Sequence, residues 1–424
     1  MDGDPAVEPE LDSLSLTLPL PYRVALVTVI GVWAWGVNLH YLSLAKIVRI
    51  YTSTLYSSSN LTRPLANSSS QDVPALIHYP HRASPRTDLP HHRSTYRLAI
   101  VLTIPLILSL FLFWALSHRN PTLVIYYDFL PLSYLWFLLL IFVLPLRRFS
   151  YSGRRRFLAT LRRVSIGGLA QPHDGKFGDI LLADVLTSYG KIIADLFVAL
   201  CMYSRKNGSA TARPDRGCGG QYLVPLVIAI PSLIRLRQCM IEYFRTRANP
   251  SVSSGWGGQH LANAAKYASA FPVIILSALQ RNLSYNHVTI GVTEATLYRL
   301  WVFAVAFNSF YSFYWDVAKD WDLTLFSSTR QPHLAHKVPY GLRPRLYFPS
   351  PNLYYFVIAL DLMLRYFESG IFLLEFLEVG RRWMWIFFRV ETEWMRTTHS
   401  KGLGGPGPGD ILLDDYGSDM EDDG

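Results

Sequence analysis

The sequence predicts an all-α fold, a polytopic membrane bundle of about nine helices, with eight and ten as its bounds. Three observations predict it. Half of the 424 residues are hydrophobic and only 17% are charged, where a soluble chain carries nearer a quarter. The apolar residues come in blocks of about 20, the length that crosses a bilayer as a helix. Between the blocks, Lys and Arg collect in alternate connections. The net charge of +9 would suggest nucleic acid on a soluble protein. Here loop segregation accounts for it, so membrane lipids are expected as partners and nucleic acid is not.

Residues 1–21 read as a short N-terminal tail. Five acids and no Lys or Arg stand in its first 20 residues, the opposite of a signal peptide's basic opening. The N-terminal membrane region, 22–160, holds candidate spans 22–45, 97–117 and 124–146. Between them, residues 51–95 are rich in Ser, Pro, Asn and His without periodicity, which predicts a disordered loop. A broken hairpin around Gly36, Val37 and Asn38 is the alternative for 22–55, and it would change the parity. Region 177–395 supplies spans 180–203, 221–241, 262–281, 297–317, 352–371 and 371–390. Prolines 225, 231 and 272 fall inside these spans, where neighbouring helices can satisfy the freed backbone groups. The tail 396–424 turns Gly/Pro-rich and then acidic, predicting disorder, with coat-protein or other partner binding as the alternative.

Segments 46–97, 147–163, 235–247 and 318–351 together hold 23 Lys and Arg against six in the alternate connections. The positive-inside rule places the first set in the cytosol. Loop 204–220, with four basic residues, fits least well. The glycosylation acceptors Asn207 and Asn282 then face the lumen. Cys201 and Cys218 fall on that side too, where they could pair, although two free thiols is the favoured reading. The three cysteines make no metal spacing, and no catalytic motif is present. No cofactor is expected. His260 reads as a helix-end residue.

Charges inside the spans carry the functional signal, because an ionisable residue in hydrocarbon usually marks a pathway or site. In "DILLADVLTSYGKIIADLF", Asp184, Thr187, Lys191 and Asp195 share one helical face. Lys266 has small neighbours that allow close helix approach. Asp316 closes the seventh span, with Asp320 and Asp322 expected in cytosolic water. Asp361 and Arg365 stand one turn apart, and Arg381 and Arg382 are adjacent. Structural readings exist for several of these. Asp361–Arg365 and Lys191–Asp195 could be helix-gluing ion pairs, and Arg382 and Arg389 could snorkel to an interface. Taken together, Asp184, Lys266, Asp316 and Arg365 point to one shared site. Arginine forks suit oxyanions. Lys266, Arg365, Arg381 and Arg382 against Asp184 and Asp316 leave two positive charges, which hydrogen phosphate would balance at roughly −1.5 to −2.

The stretches "FGDILLADVLTS", "PSLIRLRQCMIEYFRTR", "HLANAAKYASAF", "FYSFYWDVAKDWDL", "DLMLRYF" and "EVGRRWMWIFFRVETEW" resemble, in order, those of the EXS-domain family. The likeness covers about 177–395, with looser similarity through 22–160. It implies a helical transport domain with a central phosphate path lined by Asp184, Lys266, Tyr267, Asp316, Arg365, Arg381 and Arg382. The plasma-membrane exporters of this family carry an N-terminal SPX domain, which the short N-terminal tail is not expected to provide. Glu368 stands where they have an aromatic gate. The short form is similar to fungal Golgi members linked to phosphate recycling from the lumen and to retention of glycosyltransferases. The expectation is therefore a Golgi membrane phosphate transporter and not an enzyme, with Golgi glycosyltransferases or a second copy in a homodimer as protein partners. The alternative is a non-transporting adaptor for enzyme retention.

Overall fold

A computed structural model describes residues 13–44, 91–146, 151–170, 175–206, 208–248, 256–286, 293–326, 339–344, 346–366 and 371–402. Most of the loop expected to be disordered, the tail beyond residue 402, Asn207 and Glu368 lie outside the described residues. Among those described, the fold is all-helical and contains no strand.

A short turn, α1 (Ser13–Thr17), leads into α2 (Leu20–Leu44), which runs unbroken through Gly36 and Asn38. The broken-hairpin alternative is thereby removed. Helices α3 (His91–Ser117), α4 (Pro121–Tyr126) and α5 (Phe129–Val143) pack on α2 through Tyr22, Ala25, Leu102, Phe113 and Tyr134. The outward faces of these helices are apolar. Ile107, Leu108 and Phe111 are exposed, a surface that suits lipid and not water. The basic helix α6 (Tyr151–Arg162) follows, with Arg154 donating to carbonyls at the end of α5.

The 180–203 span is two helices, α7 (Lys176–Ser188) and α8 (Gly190–Ser204), bent by 61°. The bend corrects the reading of one continuous polar stripe. Asp184 and Thr187 face the bundle, while Lys191 is exposed and does not pair with Asp195. At the break, a Cβ on Gly190 would stand 3.1 Å from the Ile228 carbonyl, so glycine permits the close crossing of α9 (Leu223–Ala248). Pro231 lies inside α9 without ending it. The next span divides into α10 (Gly258–Ala268) and α11 (Ala270–Asn286). Pro272, without an N–H and crowding the carbonyl four residues back, accounts for that break.

Helix α12 (Glu294–Trp315) passes into a π turn, Asp316–Asp320, and is followed by α13 (Pro351–Tyr366) and α14 (Ile371–Gly402). Val24 and Val27 of α2, Ile192 of α8 and Val379 of α14 pack as one cluster and join the two halves. A second core surrounds Trp321, Trp385, Tyr354 and Phe388.

Among the described residues, five segments are long and apolar enough to cross a membrane: Leu20–Leu42, His92–Ser117, Pro121–Val143, Leu223–Ala248 and Gly258–Arg281. The bent α7–α8 pair makes a sixth. Nine spans are not established by this criterion. The expected eighth and ninth spans fall short because α13 has only 16 residues and α14 carries acids and arginines along its length. The seventh falls short because α12, though 22 residues long, mixes Arg299, Asn308, Ser309, Ser312 and several Tyr among its apolar residues.

Cys201 and Cys218 form a disulfide, 17 residues apart, where free thiols had been the favoured reading. Cys239 is a buried free thiol. Closing a loop of this size contributes about 3 kcal/mol in the chain-entropy account. Cys218→Ser should therefore lower the unfolding temperature of the detergent-solubilised protein, and a reductant should lower that of the wild type similarly. A melting curve indifferent to both would show that the bridge carries no stability.

Candidate functional site

The π turn builds the centre of the site. In it Trp321 N–H donates to Asp316 O at 2.9 Å, one residue more per loop than an α-helix, and such turns recur at functional sites. The widened turn brings both Asp316 and Asp320 to Lys266 Nζ, at 2.8 and 3.3 Å. Asp320 is therefore not in water. Its side chain is 13% exposed, and Arg389 Nε approaches it at 3.8 Å. Asp322 is paired more loosely, with Arg396 at 3.6 Å.

Asp316 is 1% exposed and receives three cations. Lys266 donates to Oδ1, and Arg365 and Arg381 donate to Oδ2, the latter at 3.3 Å. Asp361, one turn before Arg365, accepts from Arg365 Nε at 3.0 Å and from Arg381 Nη1 at 3.1 Å. Its role as an internal ion pair holds, extended to a second arginine. Arg381 completes its fork on Glu378, through Nε at 2.9 Å and Nη2 at 2.5 Å. Ser188 Oγ donates to the same Glu378 at 2.7 Å, tying α14 to α7.

Arg382 differs from the others. It is buried, without a carboxylate in ion-pair range among the described residues. Its Nε donates to Ser188 Oγ at 2.9 Å and its Nη2 to Thr187 Oγ1 at 3.2 Å. Its Nη1 has no hydrogen-bond partner, and the guanidinium lies over the Trp385 ring at 4.7 Å. It does not snorkel to an interface. Nor does Arg389, which is 4% exposed and stands over Phe177 and near Glu393, at 3.7 Å.

Asp184 and Tyr267 belong to an adjoining set that sequence reasoning did not complete. Asp184 Oδ1 accepts from Arg235 Nε at 2.6 Å and from Tyr267 O–H at 2.5 Å. Arg235 Nη2 donates on to the Tyr267 oxygen at 3.1 Å, and Nη1 to Gln238 at 2.7 Å. Arg235 had been counted with the cytosolic loop cations, yet it is buried inside α9. Its position amid "PSLIRLRQ", still within an apolar run, was the available signal. The two sets touch where Lys266 Nζ stands 5.5 Å from the Tyr267 ring.

The structure therefore gathers Lys266, Asp316, Arg365 and Arg381 directly, with Arg382 joined through Ser188 and Glu378. It sets Asp184 and Tyr267 alongside. Glu378, Ser188, Asp320 and Arg235 were missing from the expected set. The charge count changes with them. Asp184 is taken up by Arg235, and the four cations Lys266, Arg365, Arg381 and Arg382 stand against the four carboxylates Asp316, Asp320, Asp361 and Glu378. The expected surplus of two positive charges disappears, and among the described residues Arg382 is the member of the set without a carboxylate in ion-pair range.

A bundle of lipid-facing helices around a buried, nearly balanced network of charges defines a polytopic membrane protein with an intramembrane ionic site. The chain belongs to the EXS family, whose model matches residues 18–395. It is 32% identical over 264 residues to Protein ERD1 homolog 1 of Schizosaccharomyces pombe, covering 59% of this chain and 65% of that one. To Protein ERD1 homolog 2 of the same yeast it is 26% identical over 395 residues, covering 88% and 96%. Solute carrier family 53 member 1 of Homo sapiens is 28% identical over 340 residues, covering 73% of this chain but 44% of the carrier.

Removing one member of a buried charge network leaves its partners unpaired, at about 3–5 kcal/mol. Asp316→Asn should be the most destabilising single change here, because it strands parts of three cations. Asp320→Asn should also lower the unfolding temperature, by less. Thermal denaturation in detergent reads both, and an Asp320→Asn protein as stable as wild type would return that residue to solvent.

Proposed function

We propose that the protein is a phosphate transporter of the Golgi membrane, carrying phosphate from lumen to cytosol. The observation that carries this reading is Arg382, a buried cation held by two hydroxyls and an aromatic face, whose Nη1 has no partner among the described residues. A guanidinium so placed is short of an anion. Phosphate suits the surroundings because its ionised oxygens accept from Arg382, and from Ser188 and Thr187 once their hydroxyls turn from Glu378 and the Asp184 carbonyl, while a P–OH group can donate to the Glu378 so released. Chloride could stand against the Arg382 guanidinium but would use none of that hydrogen-bonding geometry. Arg365 and Arg381 reach the anion by exchanging Asp316 and Asp361 for it, and Asp184 holds Arg235 and Tyr267 beside the path.

Membership of the EXS family and the likeness to a solute carrier support transport over enzymatic chemistry. The Golgi setting and the recycling of phosphate released by glycosylation follow from the resemblance to the short fungal members. In this reading α12, α13 and α14 complete the nine spans, their charges shielded within the bundle. The disulfide supports the orientation, since such bonds persist in oxidising compartments and Cys201–Cys218 closes the loop assigned to the lumen.

Two measurements test this. In proteoliposomes, Arg382→Ala should abolish phosphate flux. Arg382→Lys should recover little of it, because an ammonium cannot reproduce the fork. Normal flux through a monodisperse Arg382→Ala protein would overturn the site. Loss of enzyme retention in cells, with the wild-type protein carrying no phosphate in liposomes, would favour the adaptor. For orientation, cysteines at Ile166 and Tyr222, which are 72% and 70% exposed, should be labelled from the cytosolic and lumenal sides respectively. Reversed labelling would reverse the direction of transport.

A further inference from the structure

A second pair of buried carboxyls lies outside the network above. Glu375 precedes Glu378 by three residues on α14 and is 3% exposed. Ile192 and Leu196 of α8 pack with Phe372 and Val379 of α14, which sets the Glu375 carboxyl beside that of Asp195, itself 3% exposed. Glu375 Oε1 has no hydrogen-bond partner. Among the described residues, no Lys or Arg comes within ion-pair distance of Glu375. Asp195 has one, Arg216 Nη2 at 3.0 Å. The other charged groups that act on the pair are Arg23 of α2 and Lys191 of α8, and Lys191 is exposed.

Two facing carboxylates in a low-dielectric site cannot both ionise cheaply, so one proton is shared between them. Arg216 stabilises the charge on Asp195, which leaves the proton on Glu375, whose O–H can then donate to Asp195. The disulfide contributes to this arrangement, because Cys218 ties the Arg216 loop to the helix that bears Asp195.

We propose that Glu375 and Asp195 form a proton-binding site that couples phosphate binding to protonation. The coupling rests on the transport reading above, whereas the proton site itself does not. Losing the proton creates a bare carboxylate one turn from Glu378, the residue that links Arg381 and Ser188 to Arg382. Added negative charge there weakens anion binding. Protonation of the pair therefore raises affinity for phosphate, and bound phosphate raises the pair's affinity for its proton by the same factor. On the lumenal approach, an acidic compartment would load both together.

Infrared difference spectroscopy on the purified protein tests the proton site without any need for transport. The wild type should show a protonated carboxylic C=O band at neutral pH. Glu375→Gln should lose it and Asp195→Asn should shift it. A band unchanged in both variants overturns the proposal, and Asp195→Asn alone decides the matter if Glu375→Gln does not fold. The coupling is read from half-saturating phosphate in proteoliposomes. Because the amide stands in for the neutral acid, Glu375→Gln should match the wild type at acidic pH and bind severalfold tighter than it at alkaline pH. Comparing the two proteins at each pH cancels the titration of phosphate itself. Parallel profiles across pH overturn the coupling. A wild type that carries no phosphate at any pH would instead defeat the transport reading and leave the infrared result to stand alone.

Discussion

Asp316 is the constraint on which the helical arrangement depends. A carboxylate that is 1% exposed in a membrane protein has no water to solvate it, and an unpaired charge there would cost several kcal/mol. Its two oxygens are instead satisfied by α10, α13 and α14 at once, through Lys266, Arg365 and Arg381. Each cation needs further acceptors, and Asp320, Asp361 and Glu378 supply them. The helices too charged or too short to pass as spans are thus the ones that surround this point. Their polarity is turned inward, and the uniformly apolar helices α3 and α5 meet lipid.

The class of fold was legible because hydrophobic blocks and loop charge are one-dimensional properties. The buried charges on α10, α12, α13 and α14 were legible for the same reason, since an ion inside an apolar run is conspicuous. What the sequence concealed was local geometry. Asp320 looked like a solvated helix end because it lies beyond the 297–317 span, where the chain was expected to have reached cytosolic water. The π turn keeps the chain coiled and returns that carboxylate to Lys266. Lys191 looked like part of a stripe because the break at Tyr189–Gly190 has no strong signal beyond one glycine. Arg235 sat near enough to a basic loop to be counted with it, and only tertiary contact with Asp184 distinguishes it from Arg237. The disulfide was open for a similar reason, since 17 residues of separation neither requires nor forbids a bridge.

The N-terminal helices have a different relation to the site. Among the described residues none contributes to the Asp316 network, yet α2 packs through Val24 and Val27 against Ile192 and Val379. Val379 immediately follows Glu378 and lies two residues before Arg381. The apolar contact therefore fixes the rotation of α14 about its axis, and with it the direction in which the charged residues point. Packing without chemistry is still part of how the site is aimed.

The contrast between Arg381 and Arg382 shows how adjacent, identical side chains acquire separate roles. A helix turns about 100° per residue, so the two guanidinium groups leave α14 in different directions. Arg381 meets Glu378, Asp361 and Asp316 and is neutralised several times over. Arg382 meets only the hydroxyls of Thr187 and Ser188 and the face of Trp385. Hydroxyls orient a guanidinium without cancelling its charge, and an aromatic face supplies attraction without an exchangeable acceptor. The first arrangement holds helices together. The second keeps a positive charge both fixed and available, which is the condition an anion site needs if it is to bind its ligand and release it again. Ser188 connects the two, accepting from Arg382 and donating to Glu378. In the transport reading proposed above, an anion at Arg382 acts through Ser188 on the carboxylate that holds Arg381, and through Arg381 on Asp316.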